Sequence, residues 1–190
     1  MTYLPRAIPD RLIALSLLPP PEPWQPPAPF GFGALIAQQT CPGEARFALH
    51  AHRFGAGYRP DALRERLQPL FTPDTMTLAY YPVRENEPAA DAGRNARRML
   101  AHVPRSGLRS RICACVPQHA FHSAGNLAGV ELPGQSPTPL SRLHRIAAEA
   151  QAIWVYHLFS RSAPSARRRL FASYQAWHRL EQASRAVVAA

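Results

Sequence analysis

The spacing of apolar positions changes several times along the chain, and each change marks an element. Residues 9–18 open with Asp10 and carry Leu12, Ile13, Leu15, Leu17 and Leu18, which predicts a short amphipathic helix. Pro19, Pro20, Pro21, Pro23, Pro26, Pro27 and Pro29 then exclude helix and sheet alike. The expected form is a polyproline-like strap anchored on the domain by Trp24. Residues 33–39 read as a strand and residues 40–44 as a turn. From 45 to 54 the alternation is clean: Phe47, Leu49 and Ala51 point one way, Arg46, Ala48, His50 and His52 the other. Strand, turn and strand predict a β-hairpin.

Pro60 starts a helix that runs to about Leu70, with Leu63, Leu67 and Leu70 inward. Residues 75–83 make a further strand with Pro82 near its end, 91–102 a helix, and 109–116 another strand. Residues 117–138 hold Gly125, Gly129, Pro133, Gly134 and Pro137 and read as loop. Leu140, Leu143, Ala147, Ala150, Trp154 and Leu158 recur at helical spacing over 139–159. Residues 162–165 break that pattern, with Ser162 or Ser165 as the N-cap of the next helix. Leu170, Tyr174, Trp177 and Val188 line one face of this second helix, so the chain ends in a helical hairpin.

The expected fold is α/β or α+β: a small mixed sheet containing a β-hairpin, covered by helices, with a C-terminal helical hairpin. The divisions are 1–30 (N-terminal helix and Pro-rich strap), 31–136 (α/β core) and 137–190 (helical pair packed on the core). A chain of 190 residues buries a core without a metal or disulfide staple. No apolar run reaches the ~18 residues of a membrane span, and Leu12–Leu18 is too short for a secretory signal. Three cysteines form no disulfide framework, which points to a reducing cytoplasm.

Charge sharpens the picture. The 22 basic residues are all arginine, against 12 acidic ones, for a net charge of +10. A GC-rich coding sequence explains the missing lysines; it does not explain the excess of positive charge. Such a surface attracts phosphate polymers, and arginine binds phosphate bidentately and stacks on bases.

The arginines fall in clusters. Arg46, His50, His52 and Arg53 sit on the hairpin, the first three on one strand face. Arg94, Arg97 and Arg98 come after a strand, with Arg105, Arg109 and Arg111 beyond them. Arg167, Arg168 and Arg169 open the last helix, where positive charge opposes the helix dipole and hints at an anionic partner. The run Gly93-Arg94-Asn95-Ala96-Arg97-Arg98 after a strand resembles the pyrophosphate loop of GNAT-type acetyltransferases, which implies a transferase binding a phosphate-bearing cofactor at 93–98. Cys113, Cys115, His119 and His122 have the chemistry of zinc ligands, but C-x-C within an apolar strand reads as core, so no metal is expected to be needed for folding. The strand pattern permits a ribonuclease-H-like layer. Glu85, Glu87 and Asp91 cluster after a strand, yet the first strands carry no inward Asp or Glu, so an active two-metal nuclease is not supported. The expectation is a non-enzymatic, cofactor-free, basic protein that binds DNA or RNA or assembles a nucleoprotein. The other two readings are the phosphate-cofactor transferase and a structural subunit whose arginines meet an acidic protein.

Overall fold

The structure, a computed structural model, describes residues 10–18, 30–55, 59–72, 74–83, 90, 93–94, 97, 101, 103, 111–132 and 141–189. The strands are β1 (Arg11–Leu18), β2 (Gly31–Cys41), β3 (Glu44–Arg53), β4 (Thr75–Val83) and β5 (Arg111–Pro117). The helices are α1 (Pro60–Leu67, extended by a 3-10 turn Gln68–Leu70), α2 (Gln118–Ala128), α3 (Arg142–Arg161) and α4 (Pro164–Ala189). The strap, most of the 91–102 helix and the end of the 117–138 stretch lie outside the described residues.

One five-stranded sheet runs in the order β3-β2-β1-β4-β5. β1–β2 and β2–β3 are antiparallel, while β1–β4 and β4–β5 are parallel. The hairpin is β2–β3, closed by Pro42 and Gly43 with Gly43 at φ 89°. The sheet is mixed, helices cover it, and α3 and α4 form the C-terminal pair.

Residues 11–18 correct the sequence reading: they form a strand at the centre of the sheet, not a helix. The reason is burial on both faces. Leu12 and Ala14 belong to one apolar cluster, Ile13 and Leu15 to the other. A strand covered on both sides has no polar positions to reveal its period.

The first cluster lies between the sheet and α2, α3 and α4; the second lies between the sheet and α1. α3 is the centrepiece, with every residue from Ile146 to Val155 buried. It approaches β2 so closely at Gly33 that a Cβ there would collide with the Ile146 carbonyl oxygen. Beside Gly33 in register, Ser16 donates its hydroxyl to Glu149 Oε2 at 2.5 Å, and Arg145 Nε donates to Glu149 Oε1 at 2.8 Å. This network holds α3 to β1 without leaving the buried carboxylate uncompensated.

A second correction concerns residues 118–128, read as loop but folded as α2. Phe121, Ala124, Gly125 and Ala128 are its buried face, at helical spacing. Gly129, at φ 70°, is the left-handed residue that ends it. A third correction is at the α3–α4 break. Ser162 ends α3, its N–H bonded to the Leu158 carbonyl. α4 starts at Pro164, and Arg167 N–H reaches the Ala163 carbonyl, so neither predicted serine is the N-cap. Leu143, expected to be inward, is exposed on the first turn of α3, whereas Trp154, Leu170 and Tyr174 are buried as expected. Among the described residues no helix is long and apolar enough to cross a membrane.

Candidate nucleic-acid interface

β3 is an edge strand, and its two faces differ. On one, Phe47 packs against Trp154, Tyr174 and Trp177 under α3 and α4. On the other, Arg46, Ala48 and His50 are exposed and His52 is half-buried. α1 covers the neighbouring β2 positions, Phe32, Ala34 and Ile36, through Leu63 and Leu67. The open face of β3 is therefore a narrow shelf flanked on one side by α1. The strand alternation placed Arg46, His50 and His52 together correctly.

His52 is fixed at the inner end of this shelf. Its ring lies 6.2 Å from Phe32 and 4.7 Å from Phe54, edge to face with the latter. Burial, and then the charge of Arg66 on α1, hold its pKa below the ordinary histidine value. Arg66 supplies positive charge beside it. Arg53 is not on the shelf: it points to the other side, with its guanidinium 5.7 Å from the Phe30 ring centre. Across the sheet from Arg46, Arg11 donates to Gln38 Oε1 and to the Leu70 carbonyl, both at 3.2 Å. That arginine is occupied in tying β1 to β2 and to the end of α1.

The three arginines at the start of α4 divide. Arg167 is half-buried, donates to the Ser162 carbonyl at 3.0 Å and lies 5.4 Å over the Phe159 ring. It closes the α3–α4 break. Arg168 and Arg169 are exposed. Arg169 lies across the hairpin turn, where a Cβ on Gly43 would come 2.5 Å from its Nε. In the same turn Cys41 is an exposed thiol 3.1 Å from Glu44 Oε2; that hydrogen bond, first of all, raises the thiol's pKa.

Of the third cluster, Arg94 and Arg97 are helical and exposed. Arg97 Nε donates back to the Gly93 carbonyl at 3.1 Å. Arg98, Arg105 and Arg109 lie outside the described residues, as does the side chain of Arg111, whose backbone pairs with Thr77 at the start of the β4–β5 register. Cys113 and Cys115 occupy alternate positions of β5, and their side chains are likewise outside the described residues. His119 and His122 lie on α2. Among the described residues, no three His, Cys, Asp or Glu side chains gather as a metal set. The buried acid Glu149 is taken up by Ser16 on β1 and by Arg145. Glu85, Glu87 and Asp91 are outside the described residues.

Sequence reasoning missed Arg66, which enters the site only because α1 packs beside β3. Its signal was present, since it lies on the polar flank three residues from Leu63. No family model, curated protein or solved structure matches the chain.

Proposed function

We propose that this is a non-enzymatic nucleic-acid-binding or nucleoprotein-assembly protein of the cytoplasm that contacts phosphates through arginine. One observation carries the reading. Arg46, Arg66, Arg168 and Arg169 are exposed and, among the described residues, none has a carboxylate within ion-pairing distance. A chain with a net charge of +10 that leaves its arginines unpaired around one hairpin is built to meet an external polyanion. The sheet order adds nothing to this, because a fold hosts many functions. The exposed free thiol of Cys41 fits a reducing compartment.

The test is fluorescence anisotropy with labelled DNA and RNA across a salt series. Affinity should fall by orders of magnitude between about 50 and about 200 mM salt, as expected when several phosphates are neutralised. Failure to bind either polymer at the low-salt end would end the proposal.

A further inference from the structure

We infer that the shelf on β3 takes a single strand of nucleic acid laid along the β-strand, not a duplex. This rests on the nucleic-acid reading and adds the substrate class. Three features of the shelf carry it.

The first is shape. Arg46, Ala48, His50 and His52 form one file of alternate positions on one face. At about 3.3 Å per residue the file spans about 20 Å, a length suited to a few nucleotides and a width suited to one chain. Ala48 leaves the middle of the floor low and flat. α1 rises beside it by roughly a helix diameter, about 10 Å. A duplex approaching the floor would meet α1 before both of its backbones could reach the arginines.

The second feature is the arrangement of charge. Arg46 stands in the floor near the hairpin turn, and Arg66 stands on the flank near His52. Positive charge thus tracks the long axis of the shelf, which is how single-strand grooves track a phosphate backbone. The third is the ring surface. His50 is exposed, and His52 is held by Phe32 and Phe54. Flat π-faces between cations stack bases without reading them, because every base has a π-face. Among the described residues, no element rises from this face to enter a major groove and read a duplex.

The experiment compares oligothymidylate, oligouridylate and a DNA duplex of equal length at one salt concentration. The probes are tested against the wild type, the double variant Arg46→Ala/His50→Ala, Ala48→Glu and Arg53→Ala. The wild type should bind both single strands at least about 10-fold more tightly than the duplex. The double variant and Ala48→Glu should each lose about 10-fold or more on single strands, the size expected for a lost stacking base. All these positions are exposed, so melting should stay near wild type. Arg53→Ala, on the other face of the same strand, should bind single strands nearly as well as wild type. A preference for oligothymidylate or for oligouridylate would tell DNA from RNA within the same inference. Equal affinity for duplex and single strand overturns the shelf, and so does full single-strand binding by the double variant. A loss in Arg53→Ala as large as in the double variant also overturns it, since general charge then suffices. In those three outcomes nucleic-acid binding itself stands. No binding of any probe by the wild type removes both.

Discussion

Tyr174 has one hydroxyl hydrogen and two acceptors, the Ala128 carbonyl at 3.0 Å and Gln151 Oε1 at 2.9 Å, so a single buried side chain on α4 pins the end of α2 and the middle of α3. Tyr174→Phe should destabilise by about 1–3 kcal/mol, because it leaves buried acceptors unmet while changing little volume. A shift in urea midpoint measures it. His157, on α3, sits with Nδ1 3.1 Å from the Tyr80 hydroxyl. Burial, and then Arg161, push its pKa down to about 4. The unfolded chain, with a histidine pKa of about 6.5, takes up the proton first. Stability is therefore full above that value and declines as the pH falls toward the folded pKa, by up to about 3 kcal/mol. In His157→Gln the loss between neutral and mildly acidic pH should shrink, as read by denaturant midpoints at the two pH values. Neither residue's role was legible beforehand. Tyr174 was visible as a core position, but its acceptors come from residues brought together only by packing.

At the scale of elements, alternation was the reliable signal and its absence the misleading one. β3 shows itself because neighbouring positions differ in burial and polarity. β1 hides because Leu12 to Leu15 are buried on both faces. α2 hides because Gly125 and Gly129 resemble loop punctuation; in the fold Gly125 makes room for Leu132, and Gly129 is a helix terminus. The α3–α4 pair gives a paired prediction. Arg167→Ala should lower the melting temperature, since Arg167 closes the break through Ser162 and Phe159. It should scarcely alter nucleic-acid affinity. Trp177→Ala should also act on stability, by about 1–3 kcal/mol, below the full value for a buried tryptophan because Trp177 is only half-buried against Phe47. Thermal melts beside binding isotherms decide this; loss of binding at unchanged melting in Arg167→Ala would reverse the assignment.

For the whole molecule, charge was legible from the sequence and its placement was not. The excess of arginine is plain on reading. That Arg169 reaches the β2–β3 turn, and Arg66 the side of β3, is a result of how α4 and α1 pack. Packing also makes the arginines of one cluster unequal: Arg168 and Arg169 are free at the surface while Arg167 is not. Arg168→Ala/Arg169→Ala should melt like wild type yet bind nucleic acid more weakly, with a shallower dependence on salt because fewer counterions are released. A salt slope equal to wild type would place the contacts elsewhere on the surface.

The position of β1 has a consequence for synthesis. β1 lies at the centre of the sheet, and the helix that covers one of its faces, α3, follows all five described strands in the chain. At about 5–20 residues per second, Leu12, Ala14, Leu35 and Ala37 stay wet for seconds after they have been made. The meander β1–β2–β3 can pair early, but among the described residues the main cover of one of its sides, α3, comes later. Until α3 has been made, Leu12, Ala14, Leu35 and Ala37 lack the helix that buries them, and a truncation before α3 would leave them in that state.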